Sequence, residues 1–242
     1  MNKPIVVLGP MLCEMDEFLN AMTDVKVNKI GGYTFYEGKY KDKDMVVVNC
    51  LIGMVNSATA TTLAITKYNP RCIIIQGTSG GHDPALHQGD IVIGENIIEL
   101  GSYYTQHRDE GEGSNYLDWE FPGEEMPENS VIFRVRTLHS DKELVKVADS
   151  IPYAAGKKVH GTISTADIWH KEIDKILYFN REFGSSCEEM ETFAVGQVCR
   201  NLPTPFLGVR VLSNSELYPE ELFDEKYARL LQHFVLDIIE KI

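Results

Sequence analysis

Apolar runs separated by polar, glycine-containing breaks set the rhythm of this chain. Ile5-Val6-Val7-Leu8-Gly9 predicts a buried first strand, and residues 11–22 predict a helix behind a short turn. Residues 33–40 and 45–51 flank a polar turn and predict a hairpin. A helix rich in small residues is expected over 56–68. Cys72-Ile73-Ile74-Ile75-Gln76 is an unbroken apolar strand, as in a sheet covered on both faces, running into a turn at Gly77-Thr78-Ser79-Gly80-Gly81. Further strands are expected at 91–98, 158–164 and 206–212. Ser186-x-x-Glu189 fits a capping box opening a helix that Pro203 and Pro205 stop. In the last helix Tyr227, Leu230, Leu231, Phe234, Val235 and Ile238 follow the i, i+3, i+4, i+7, i+8, i+11 spacing. Residues 101–129 predict a long surface excursion anchored by Tyr103, Trp119 and Phe121. With no internal repeat or linker, residues 1–242 make one α/β domain with a mainly parallel sheet.

Composition narrows the partners. The 242 residues are 43% hydrophobic and 24% charged, as in a soluble globular protein. A net charge of −13 argues against a nucleic-acid backbone or an anionic membrane as partner. There is no apolar run of transmembrane length and no leader pattern, so a cytoplasmic location is expected. Cys13, Cys50, Cys72, Cys187 and Cys199 are odd in number and lack metal-knuckle spacing. They read as reduced, mostly buried thiols, and no metal is expected.

Glu188-Glu189-Met190-Glu191 is the most unusual stretch. Three carboxylates in four residues are odd at the mouth of a core helix. One carboxylate can accept two hydrogen bonds at once, so it suits a pair of neighbouring hydroxyls. Ligands of open α/β sheets gather beyond the carboxyl ends of strands. Those ends supply Glu14, the Thr78 glycine turn, Trp169-His170 and Ser213-Asn214. A carboxylate base, a hydroxyl and amide loop, an aromatic plate, a diol-binding glutamate and a terminal amide together suit a nucleoside.

On segments 5–14, 53–60, 77–93, 161–169 and 189–214, the chain resembles the purine nucleoside phosphorylase and nucleosidase superfamily, nearest the 5′-methylthioadenosine/S-adenosylhomocysteine nucleosidases. The resemblance implies a sheet curling into a distorted barrel flanked by helices, in a homo-oligomer, with a dimer favoured. It implies a purine nucleoside as small-molecule ligand, and no cofactor. Glu14 falls on the general acid/base, which activates the attacking water. Glu191 falls on the ribose-binding glutamate and Met190 on the methionine beneath the sugar. Glu189 beside them caps the helix. Thr78 takes the place of a serine near the water. Trp169 takes that of the aromatic that stacks on the base, and His170 lends backbone groups to the base edge. Ile52 lines the 5′ side. Arg210 is expected to brace the site without a direct role.

Asn214 departs from the pattern. The nucleosidases place an aspartate there to protonate N7 of the leaving adenine, and an amide can only offer a hydrogen bond. Phosphorylases that prefer 6-oxopurines use an asparagine. Phosphorylases of the hexameric class hold phosphate with arginines, which the loops at Gly9-Pro10-Met11 and Gln76-Gly77 lack. Hydrolysis of a 5′-substituted purine nucleoside is therefore the expected function. A 6-oxopurine phosphorylase and a non-catalytic nucleoside-binding protein remain as alternatives.

Overall fold

The computed structural model describes residues 3–120 and 137–242. In chain order the elements are β1 (Ile5–Gly9), α1 (Asp16–Ala21), β2 (Thr23–Ile30), β3 (Tyr33–Tyr40), β4 (Lys43–Asn49), α2 (Met54–Tyr68), β5 (Cys72–Gly81) and β6 (Ile91–Glu99). They continue with β7 (Thr137–His139), α3 (Lys142–Ser150), β8 (Lys158–Thr165), α4 (Ile173–Phe183), β9 (Ser185–Glu189), α5 (Thr192–Asn201), β10 (Phe206–Asn214) and α6 (Lys226–Lys241).

Among the described residues the strands form a single mixed sheet that closes on itself. β5 pairs with β10, β10 with β6, β6 with β8, β8 with β9, and β9 returns to β5. From β5 the sheet also extends through β1 and β4, both parallel, to the antiparallel β3 and β2. This is the barrel-like sheet flanked by helices that the family resemblance implies. Period-two alternation divides the core. Ile5, Val7 and Ile74 join Phe234, Val235 and Ile238 of α6 on one side. Val6, Leu8, Ile73 and Ile75 join Ala60 of α2 and Val195 of α5 on the other. No helix among the described residues is long and apolar enough to cross a membrane.

Several expectations are corrected. Gly77–Gly81 is not a turn: β5 runs through Gly81, paired with β10 and then with β9. Glycine is needed here for close approach, since a Cβ on Gly81 would lie 2.9 Å from Leu212 Cδ2. Ser186 opens no capping box, because residues 185–189 form β9 and the helix begins at Thr192. The helix expected over 11–22 splits into a 3₁₀ turn at Leu12–Glu14 and the short α1. Gln232 of α6 reaches into this break, donating to Cys13 O at 2.9 Å and accepting from Glu17 N at 2.9 Å. β2, β7, α3 and α4 had no clear signal. In the excursion, Tyr103 stacks on Trp119 at 4.0 Å, and Lys175 Nζ sits 3.5 Å from the Trp119 ring centre. Residues 121–129 of that excursion, Phe121 among them, lie outside the described residues.

Candidate active site

The carboxyl ends of β1, β5, β8 and β10, with the β9–α5 junction, surround a cavity of about 380 Å³. Every candidate site residue lines it: Glu14, Ile52, Thr78, Trp169 and His170, and from the acidic stretch onward Glu189, Met190, Glu191 and Asn214.

Glu14 is delivered by the 3₁₀ turn after β1 and is 1% exposed. Its Oε1 accepts from Thr78 N at 2.7 Å and Thr78 Oγ1 at 2.9 Å, and its Oε2 from Met11 N at 2.9 Å. Burial raises the Glu14 pKa above the ordinary carboxylate value, against the pull of Arg210 and of these donors. A carboxylate so held is oriented as an acceptor yet is more basic than a solvated one, which suits proton abstraction near neutral pH.

Glu191 stands at the entry of α5. Its Oε1 accepts from Gly53 N at 2.9 Å, and its Oε2 lies 3.2 Å from Arg210 Nη2. Burial pushes its pKa up to about 8, and the neighbouring Glu189 adds to the rise that Arg210 opposes. Gly53 belongs to a strained loop: Leu51 has φ 60°, a left-handed conformation that disfavours leucine, and Gly53 itself has φ 100°. Asp167 ties this loop to the Trp169 segment by accepting from Met54 N at 2.9 Å.

Glu189 caps α5 as expected, though from a strand. Its Oε2 accepts from Thr192 N at 2.8 Å and Glu191 N at 3.0 Å, and it pairs closely with Arg210. Arg210 is 1% exposed and also donates to Thr192 Oγ1 at 3.1 Å. Its attraction acts on all three carboxylates, Glu189, Glu191 and Glu14. Arg210 is more than a brace at one point, because one guanidinium pairs with Glu189 and Glu191 and also attracts Glu14 across the cavity. The signal lay in the sequence: a lone arginine inside the apolar run Val209-Arg210-Val211-Leu212 needs a buried partner. Close approach also explains Gly77, where a Cβ would meet Arg210 Nη1 and Glu14 Oε1, each at 2.7 Å.

Trp169 is 59% exposed at the cavity wall, with Lys171 Nζ 5.1 Å from its ring centre. Ile52 and Met190 supply apolar surface. Asn214 Oδ1 accepts from Ser213 Oγ at 3.0 Å, which leaves Nδ2 as the donor. The His170 backbone N–H, expected at the base edge, is instead taken by Glu188 Oε1 at 3.0 Å. Glu188, which the sequence marks only as part of the acidic stretch, and His82, which it does not mark, also line the cavity.

Fold and site together define an α/β barrel protein with a carboxylate-rich cavity at the carboxyl ends of its parallel strands. The chain belongs to the phosphorylase superfamily, whose family profile matches residues 4–240. It is 33% identical over 217 residues to the 5′-methylthioadenosine/S-adenosylhomocysteine nucleosidase of Marinomonas sp. (strain MWYL1), covering 87% of this chain and 85% of that one. The enzyme of the same description from Shewanella loihica is 30% identical over 240 residues, covering 97% and 96%. Among solved structures, the Neisseria meningitidis 5′-methylthioadenosine/S-adenosylhomocysteine nucleosidase in complex with methylthio-immucillin-A superposes with a TM-score of 0.81 at 25% identity, covering 99% of this chain and 100% of that one.

Proposed function

We propose that the protein is a nucleosidase that hydrolyses the N-glycosidic bond of 5′-substituted purine nucleosides of the 5′-methylthioadenosine/S-adenosylhomocysteine type. The observation that carries this reading is the buried Glu14 carboxylate, gripped by Thr78 and of raised pKa, in one cavity with Glu191. Trp169 stacks on the base, Met190 lies beneath the sugar and Ile52 flanks the 5′ group. Glu191 accepts from the ribose O2′–H and O3′–H, and these donors favour its ionised form. As the C1′–N9 bond breaks with oxocarbenium character, water adds to C1′ and Glu14 takes its proton. Asn214 Nδ2 donates a hydrogen bond to N7 and steadies the electrons that leave with the base.

Water is favoured over phosphate as the nucleophile by the charge around the cavity. Among the described lining residues Arg210 is the one lysine or arginine, and Glu189 and Glu191 already engage it. A phosphate would find backbone amides and no available guanidinium.

The same reading assigns the protein to the cytoplasm, in methionine salvage, as a homodimer. Exposed apolar side chains at Ile52, Val55 and Trp169 support a second copy near the cavity mouth, and sedentary monomer behaviour in analytical ultracentrifugation would remove that part. The activity itself is tested by free-base release from 5′-methylthioadenosine, S-adenosylhomocysteine, adenosine and inosine, with and without phosphate. Phosphate-independent adenine release from the thio-nucleosides is expected. Release that requires phosphate, or none from any of the four, would overturn the assignment.

A further inference from the structure

The proposed hydrolysis leaves one buried carboxylate of the cavity unused. Glu188 lines the wall and is 7% exposed. His170 grips it twice, through its backbone N–H to Oε1 and through Nδ1 to Oε2. His82 Nε2 lies 3.8 Å from Oε2, while its Nδ1 is held by Ser185 Oγ at 2.8 Å. Burial lowers the His82 pKa to about 4, so that ring is neutral near pH 7. Among the described residues these two imidazoles are the ion-pair contacts of Glu188. A carboxylate has about four acceptor positions, and His170 fills two of them. Each oxygen is thus satisfied once and keeps capacity for one further donor on the cavity side.

The sheet register says where that donor would sit. Glu188 of β9 pairs with Gly80 of β5, and Gly80 pairs with Asn214 of β10. Side chains at directly paired positions share one face of a sheet. Glu188 and Asn214 thus flank a residue with no side chain, two strand spacings or about 10 Å apart at the backbone. Both line the cavity, and Asn214 has Nδ2 to offer. The wall therefore presents a donor and an acceptor across a bare glycine. A 6-aminopurine carries the complement on one edge, with N7 as acceptor and the 6-amino group as donor. A 6-oxopurine carries two acceptors there, N7 and O6, and would set its carbonyl oxygen against the carboxylate.

We propose that Glu188 is the base-reading residue: oriented by His170 and set across Gly80 from Asn214, its carboxylate accepts a hydrogen from the 6-amino group and selects 6-aminopurines over 6-oxopurines. This deepens the nucleosidase reading and rests on it for the choice of a purine as occupant. It also reconciles Asn214 with adenine, because selectivity comes from the neighbouring strand while Asn214 supplies only the N7 contact.

The test is calorimetric binding of free adenine, hypoxanthine and unsubstituted purine to the full chain, which requires no turnover. The wild type should bind adenine tighter than either of the others by about 10²-fold, the effect of a buried acceptor that finds or lacks its donor. Glu188→Ala should bring the three within about threefold, mainly through weaker adenine binding. The isosteric Glu188→Gln guards against a folding defect. Its amide can face O6, so it should narrow the adenine preference or reverse it. Tighter hypoxanthine than adenine in the wild type, an unchanged ratio in Glu188→Gln, equal weakening of all three bases, or no base binding at all would each overturn the proposal. An intact adenine preference without nucleoside cleavage would instead remove only the hydrolase reading.

Discussion

Arg210→Met is the most informative single change outside the reacting groups. The side chain keeps its bulk, but the guanidinium that pairs with Glu189 and Glu191 and attracts Glu14 is gone. Removing one partner from a buried ion pair strands the other charge, at a cost of about 3–5 kcal/mol. For a domain of this size each kcal/mol shifts Tm by about 2–4 °C, so a fall of about 6–20 °C is expected. The pH dependence carries the sign. Carboxylates that Arg210 keeps charged must bind protons in the variant, as Glu191 already tends to with its raised pKa. A raised folded-state pKa gives stability that is present at low pH and lost as pH rises. The gap between wild type and variant should therefore be smallest near about pH 5 and widen toward about pH 9. Adding Glu191→Gln to Arg210→Met should recover part of the loss, since one stranded charge is removed. Calorimetric melting of the three proteins across this range is the assay. A fall of less than about 3 °C, or a gap independent of pH, would refute the view that one cation organises the site.

Three further outcomes are expected. Glu14→Gln should lower turnover by about 10²–10⁴-fold while nucleoside affinity changes little, and in the wild type kcat/KM should rise with pH through a value above the ordinary carboxylate range, because burial raises Glu14. Gly77→Ala should lower kcat/KM by more than about tenfold, since its Cβ would meet Arg210 and Glu14 at 2.7 Å and 1 Å misplacements are costly in catalysis; steady-state kinetics beside a melting curve separates this from unfolding. Asn214→Asp restores a group able to give N7 a proton and should raise kcat for adenine nucleosides, measured by adenine release; an unchanged or lower kcat would count against Asn214 touching N7.

Much of the architecture was legible because hydrophobic period alone dictates it. β1, the β3–β4 hairpin, β6, β8, β10 and the heptad-like face of α6 all bury a side that the sequence marks residue by residue. Glu14, Glu191 and Trp169 could likewise be picked out from their place after strands or at a helix mouth. What failed locally was decided by partners distant in sequence. Gly77–Gly81 carries every sign of a turn, yet it finds β10 and β9 on its two sides and becomes strand, its missing side chains making room for Leu212, Arg210 and Glu14. Residues 185–189 look like a helix entry but add to β8 and β5 instead, and only then does Glu189 turn to cap α5 from outside it. The sequence marks Arg210 and Glu188 as charges in unusual places, but their partners, Glu189 and Glu191 for the one and His170 for the other, follow from the fold. A sequence states which side chains are apolar and which are charged. Which carboxylates share a guanidinium, and which stand across a glycine from an amide, depends on strand register, and register follows from contacts between segments more than a hundred residues apart.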